Sequence, residues 1–249
     1  MIIKTAIIGC GDVVSSYGAE TSAHPLNHID ALNDNKNFDI VGISDNDARK
    51  LALIQDKFQI KNAYQSYKDL ALNHDIDLAV HSHKDLETAQ PKGLKVAAVS
   101  DRENPCELLL MNKSAHNPNA PWELKKKAIV GTSSARRKSQ LLAIRSDVEI
   151  KDLRGNVPTR VAKLKSGQYD AILIAKAGAL RLNLDLSDLI SLDLTPDEFV
   201  PAPAQGVLAL QIRTQDEELD EILQKINDHQ IQKLVGLNFF LQSHYKTEK

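Results

Sequence analysis

The sequence predicts an α/β protein built as two three-layer domains, and three observations carry that expectation. Short apolar runs alternate with amphipathic stretches at the spacing of βαβ units. At 249 residues with 42% hydrophobic content, the chain can fill two cores without disulfide support. No internal repeat or low-complexity tract interrupts the alternation.

Ile3 to Gly9 is a nearly continuous apolar run ending in glycine, which predicts a buried strand and a loop before a helical pattern around His28 to Leu32. Phe38 to Ser44 predicts a second strand closing on Asp45, and Ala48 to Phe58 a helix. Ser66 with Asp69 three residues later opens another helix. Ile76 to Val80 predicts the next strand, in right-handed βαβ units of a parallel sheet. HSHKD at 81 to 85 then falls at a strand's carboxyl end, where open α/β sheets place ligands. Pro91 and Gly93 mark a turn before the strand Leu94 to Val99, and Asp101 to Pro121 includes a loop rich in Asn and Pro.

A strand at Ala128 to Val130 leads into the Gly131 loop and a helix from about Ser134 to Ile144, with Leu141, Leu142 and Ile144 on its apolar side. Val148 to Leu153 alternates as a strand. Asn156 and Pro158 read as the N-cap and first turn of a helix stopping at Gly167, and Tyr169 to Ala175 is another buried strand. Capping boxes at Thr195 with Glu198 and at Thr214 with Glu217 bracket PAPAQG at 201 to 206 and the strand Val207 to Ile212. The last helix runs from about Glu217 to Asp228.

The formal net charge of −2 lacks the basic excess that favours nucleic acid, and 4% aromatic content gives few stacking platforms. No apolar run approaches the roughly 20 residues that span a bilayer, and no secretory signal opens the sequence. Cys10 and Cys106 form neither a disulfide framework nor a zinc pattern. A cytoplasmic monomer acting on a small molecule is expected, with no nucleic-acid or membrane partner. The ligand class comes from arginine. More than half of this chain's arginines fall between 136 and 160, and four of them, Arg136, Arg137, Arg154 and Arg160, stand in GTSSARRKSQL and DLRGNVPTR beside small hydroxylated residues and glycine at helix starts. Guanidinium forks at helix N-termini suit carboxylates or phosphates, so the ligand is a small polyanion.

Two other groupings carry chemistry. Gly9, Gly11 and Asp45 match part of a dinucleotide pattern, with glycines for a pyrophosphate and an acid for ribose hydroxyls, although Val14 stands where a third small residue belongs. In HSHKD, Lys84 can pair with a carboxylate and Asp85 can exchange protons with, or stabilise, a nitrogen-centred cation. His81 and His83 lack an evident third ligand, so no metal is expected.

Residues 1 to about 80 resemble the Rossmann-like nucleotide-binding half of the Gfo/Idh/MocA oxidoreductases, on AIIGCGDV, HIDAL, VGISDND and AYQSYKDL. That likeness implies NAD(P) at Gly9, Gly11 and Asp45, but no counterpart of the family's EKP lysine follows Val80. Residues from about 76 to 228 resemble the hydroxymethylbilane synthase (porphobilinogen deaminase) family. The matching segments are IDLAVHSHKDLET, GLKVAAVSDRENP, VGTSSARRKSQLLAIRSDVEIKDLRGNVPTRVAKLKSGQYDAILIAKAGALRL and FVPAPAQGVLALQIR.

This second resemblance implies a transferase of tetrapyrrole (porphyrin) biosynthesis that joins four porphobilinogens with loss of ammonia, on a dipyrromethane primer held by a cysteine thioether. By resemblance, Asp85 contacts pyrrole nitrogens and stabilises the azafulvene cation left by ammonia. Lys84, Thr132, Ser133, Ser134, Arg136 and Arg137 hold primer carboxylates, Arg154 and Arg160 bind incoming acetate and propionate groups, and Gly178, Gln205 and Gly206 line the cleft. The implied domains are a composite first domain at 1–100 and 194–228, a periplasmic-binding-protein-like anion-binding domain at 101–193, and a tail at 229–249. After Asp228 no glycine-flanked cysteine appears to attach a primer, and Cys106 in ENPCELL is no substitute, which leaves catalytic competence open. The two resemblances meet near residue 80 like a splice. The alternatives are an NAD(P)-binding oxidoreductase relic and a non-catalytic anion-binding chimera.

Overall fold

The computed structural model describes residues 2–8, 28–73, 75–86 and 91–236. The chain divides into two compact units, one of Met1–His81, Asp85–Asp101 and Leu208–Leu234, the other of Ser82–Lys84, Arg102–Val207 and Val235–Lys249.

In the first unit, β1 (Ile3–Ile8) runs parallel to β2 (Phe38–Ser44), and β2 parallel to the short β3 (Ala63–Tyr64). Between them lie α1 (His28–Asn33) and α2 (Ala48–Phe58). Asp47 caps α2 by accepting from the N–H groups of Arg49 and Lys50, and Gln59 ends it in the left-handed region at φ 54°. Leu51 and Ile54 face inward onto Ile7, Ile29, Ile43 and Ile60, the apolar stripe of an amphipathic helix against a sheet. α3 (Tyr67–Asn73) starts after Ser66, whose Oγ accepts from Lys68 N.

A second sheet of this unit has the order β4-β11-β5, with β4 (Ala79–Ser82), β5 (Leu94–Val99) and β11 (Leu208–Arg213). β11 is antiparallel to β5, so the purely parallel sheet expected from the βαβ spacing is not formed: this strand arrives after the chain has traversed the other unit. β4 also starts later than the Ile76–Val80 pattern suggests. Leu78 pairs instead with Thr5 in an isolated parallel bridge, and Asp77 N donates to Lys4 O at 3.0 Å. The two sheets are thereby stitched edge to edge, and Arg213 reinforces the seam by donating to Asp75 and Asp77. α7 (Glu217–Gln224) covers this sheet through Leu219 and Leu223, and its cap is Asp216 rather than Thr214, because Asp216 Oδ1 lies 3.2 Å from Leu219 N.

The second unit holds five strands in the order β10-β6-β9-β7-β8: β6 (Glu107–Met111), β7 (Ile129–Gly131), β8 (Glu149–Lys151), β9 (Ala171–Ala175) and β10 (Ile190–Leu194). β6 lies inside the stretch expected to include a loop. All five of its residues are buried because it is flanked by β9 and β10, antiparallel to both. Its alternate side chains feed two cores, Leu109 and Met111 on one face, Leu108 and Leu110 on the other.

α4 (Ala135–Ile144), α5 (Val157–Lys165) and α6 (Lys176–Arg181) complete the unit. α4 buries Leu141, but Leu142 and Ile144 are 43% and 47% exposed, against the expectation that all three face the core. Asn156 caps α5 as the sequence predicts, and Gly167 follows its end at φ 78°. The Thr195 and Glu198 box closes over a turn, not a helix, and the chain then buries Phe199 beside Leu109 and Leu173. Residues 194–207 therefore group with the second unit.

Candidate functional site

β7 ends at Gly131, where a Cβ would stand 2.8 Å from Tyr169 Cδ1, so only glycine lets the strand pass this ring. Thr132 is buried and its Oγ1 accepts from Ser134 N at 3.3 Å. Ser133 Oγ both donates to Leu153 O and accepts from Leu153 N, each at 3.0 Å. Ser134 caps α4 by accepting from Arg137 N. The three hydroxyls thus shape the turn that delivers the helix N-terminus, whose first N–H groups carry positive partial charge.

Arg136 and Arg137 leave the first turn of α4 and converge on Glu107, whose side chain is 0% exposed. Arg137, at 7% side-chain exposure, donates Nε and Nη2 to Glu107 Oε2 at 3.1 and 2.7 Å, and Nη1 to Leu173 O at 3.1 Å. Arg136 donates Nη2 to Glu107 Oε1 and Nη1 to Val200 O at 2.5 Å, with 26% of its side chain exposed. Glu107 is the residue that the motif reading missed. Its signal was an acid opening the apolar run ELLLM, since a carboxylate on a buried strand demands cationic partners.

Arg154 and Arg160 flank the next turn. Gly155 between them adopts φ 119°, and Arg160 Nε donates to Gly155 O at 2.7 Å. The side chain of Arg154 is exposed and makes no hydrogen bond or ion pair among the described residues. Arg160 is half-buried, and its two Nη groups have no partner among the described residues. Burial, and secondarily the positive charge of Arg137, pull its pKa below the usual arginine value. Arg136, Arg137 and Arg160 against the single carboxylate Glu107 leave two net positive charges in a partly desolvated patch. Nearby, Asp152 bonds Lys138 at 2.7 Å, and that bond and charge, together with Arg154, lower its pKa.

Gly178 lies in α6, where a Cβ would stand 3.2 Å from Val157 Cγ2 at the start of α5. Gln205 is buried; its Oε1 accepts from Lys84 Nζ at 3.3 Å, and its Nε2 donates to Pro105 O at 2.8 Å. Gly206 sits at φ 91° with room for no Cβ, which would fall 2.1 Å from Glu103 O. Arg102 and Arg181, which the sequence reading did not single out, grip this turn through Gln205 O and Gly206 O at 3.0 and 2.7 Å. Asp85 ends the 3-10 turn His83–Asp85 and is exposed, while His83 is buried. β4 stops at Ser82, so the histidines do not share a continuing strand, and no cluster of three metal-ligating side chains occurs among the described residues. Gly9, Gly11 and Cys10 lie outside the described residues. Asp45 does close β2, with its Oδ1 accepting from Asp47 N at 2.7 Å. No helix among the described residues is long and apolar enough to cross a membrane.

Comparison with known proteins connects these parts. The family model for the porphobilinogen deaminase, dipyromethane cofactor binding domain matches residues 20–221. The porphobilinogen deaminase of Thermus thermophilus is 47% identical over 155 residues, covering 62% of this chain and 50% of the relative. That of Bacillus velezensis is 37% identical over 212 residues, 85% of this chain and 66% of the relative. The chain spans about half the length of most curated relatives it matches. Among solved structures, an oxidoreductase from Agrobacterium radiobacter in complex with NAD+, L-tartaric acid and magnesium is 28% identical, over 31% of this chain and 19% of that one, at a TM-score of 0.25. Because the family match begins at residue 20, it takes in α1 to β3, the stretch whose motifs resemble oxidoreductases.

Proposed function

The chain belongs to the porphobilinogen deaminase family, and from that premise we propose that it binds a dipyrromethane cofactor and porphobilinogen, as part of the machinery that polymerises porphobilinogen into hydroxymethylbilane with release of ammonia. One observation carries this reading: Arg160 is half-buried beside Arg137 with its Nη groups unpartnered among the described residues. Crowded, partly desolvated guanidinium charge is stable only when anions complete it, and acetate and propionate side chains on pyrroles are anions of the right valence and planarity. The donor set therefore fits the cofactor. When bound, the dipyrromethane supplies the end onto which further pyrroles are added.

In this proposal Arg136 and the N-terminus of α4, shaped by Thr132, Ser133 and Ser134, hold cofactor carboxylates, with Arg137 behind them. Lys84, steadied by Gln205, adds a cation, while Gly178 and Gly206 line the cleft, where Gly178 lets α6 close on Val157 and Gly206 lets its turn close on Glu103. Arg154 and Arg160 take the carboxylates of incoming porphobilinogen. Asp85, exposed at the end of its turn, accepts hydrogen bonds from pyrrole N–H and takes up or returns a proton at its carboxylate. The mixed five-stranded sheet of the second unit, with β6 antiparallel to β9 and β10 and β7 parallel to β8 and β9, supports reading it as a periplasmic-binding-protein-like domain.

The test is calorimetric titration of the 249-residue chain with porphobilinogen. Saturable binding that weakens about tenfold in Arg154→Ala, the loss of one charge-assisted contact, is expected. No saturable heat with the folded chain would sink the assignment.

A further inference from the structure

We propose that Glu107 is the positioning residue of the anion site: its two carboxylate oxygens divide Arg136 and Arg137 between them, so that Arg137 becomes a fixed pillar and Arg136 is left aimed and partly exposed for a ligand carboxylate. The inference rests on the proposed carboxylate-binding role of the arginine cluster and extends it to a residue that never touches ligand.

The geometry makes the two arginines unequal. Arg137 uses Nε, Nη1 and Nη2 on Glu107 Oε2 and Leu173 O, and only 7% of its side chain is exposed. Its fork is committed to the protein. Arg136 is tied by one bond to Glu107 Oε1 and one to Val200 O, and keeps 26% exposure. An arginine side chain carries several rotatable bonds, and ordering it at the moment of binding weakens association. Glu107 has ordered it beforehand, because it lies on β6, held between β9 and β10, where its own position is fixed by the ladder. The acid also sets the charge. With one carboxylate against two guanidiniums, the trio keeps one positive charge, enough to attract an anion without the repulsion of two uncompensated neighbours.

A double-mutant cycle on the full chain tests this, with porphobilinogen as probe and calorimetry as readout. Glu107→Gln keeps the shape but can present its one oxygen to only one arginine. Arg136, the less enclosed, is released, and affinity is expected to fall about tenfold. Glu107→Asp, which retains the charge, is expected to recover most of that loss. In an Arg136→Ala background, Glu107→Gln should change affinity less than twofold, because its effect runs through Arg136. Equal tenfold losses with and without Arg136 would mean that Glu107 acts only on the fold, and the proposal would be overturned. If the unaltered chain binds no porphobilinogen, it is the parent reading of the site that fails.

Should Glu107→Gln not fold, side-chain NMR of the unaltered chain decides. Slow guanidinium rotation at both Arg136 and Arg137, with Arg136 signals alone shifting strongly on porphobilinogen addition, is expected. Free rotation of Arg136 before ligand is added overturns the proposal.

Discussion

Two arginine pairs with the same neighbours in sequence, small polar residues and a helix start, have opposite fates in the fold. Arg136 and Arg137 turn onto a buried carboxylate that encloses Arg137 and holds Arg136 partly exposed, whereas Arg154 and Arg160 stand around a glycine turn with their Nη groups unpartnered among the described residues. The difference lies in what each helix faces. α4 packs its first turn against the strand that bears Glu107, while α5 starts from Asn156 beyond the Gly155 turn, where Arg154 and Arg160 form no ion pair among the described residues. Clustering of like residues identifies a charged region, but burial and counter-charge decide which members are structural and which remain available to a ligand.

The largest effect should come from the enclosed pair. Arg137→Met leaves Glu107 at 0% exposure with Arg136 as its one remaining cation, and breaking a buried pair in this way costs about 3 kcal/mol. Urea unfolding followed by Trp122 fluorescence measures it directly. Trp122 is the chain's one tryptophan and packs edge-on against Phe199 at 5.7 Å in the same unit. An unchanged midpoint would show that the ion pair contributes nothing.

Arg160→Ala should act on the other axis. With one hydrogen bond to Gly155 O lost, stability should move by no more than about 1 kcal/mol, while porphobilinogen affinity drops at least about tenfold. The comparison breaks if the two effects exchange places.

Much of this contrast was legible in the sequence, and the part that was not has a physical cause. The strands Phe38–Ser44 and Leu94–Val99, the helix Ala48–Phe58 and the Asn156 cap were readable because local pattern and tertiary fate agree there. β6 was hidden because its apolar run stands among Asn and Pro residues, and its place at the centre of a sheet is conferred by β9 and β10, far along the chain. Leu142 and Ile144 fit a helical stripe, yet the buried line of α4 and its cap runs through Arg137, Leu141 and Arg145, spaced four apart, and leaves both exposed. For the same reason the motif could show which arginines gather but not that Glu107 claims two of them, since that pairing is a contact between residues 29 and 30 positions apart.

A smaller effect concerns the frame that holds the loop before β7. Asp170 accepts from Lys125 Nζ at 2.6 Å and from Ile129 N at 2.8 Å. Burial alone would raise its pKa, but the Lys125 bond and charge and the Ile129 N–H outweigh it and the net shift is downward. A carboxylate with a depressed folded pKa contributes stability above its unfolded value, and that contribution is lost as pH falls through the folded value. Stability of this unit should therefore decline below pH of about 4, and Asp170→Asn should remove about 1 kcal/mol at neutral pH and flatten the acid limb. Urea midpoints at a series of pH values provide the check, and an acid limb as steep in the variant as in the parent would exclude Asp170 as its source.

The smallest expected effect probes the open pair from outside. Asp152 is exposed, bonded to Lys138 and electrostatically coupled to Arg154, so it masks part of the positive field around that guanidinium. Replacing it with Asn removes a negative charge without touching Arg154 or Arg160. Porphobilinogen affinity should then rise by no more than about threefold in low salt, because exposed charges interact weakly across water. The gain should vanish near 1 M salt, where the screening length falls to about 3 Å. The corresponding change beside the enclosed pair is expected to have the opposite sign: neutralising Glu107 should weaken binding although it too makes the region more positive. If Asp152→Asn also weakened binding, position and not net charge would govern both pairs, and the distinction between an enclosed and an open pair would collapse.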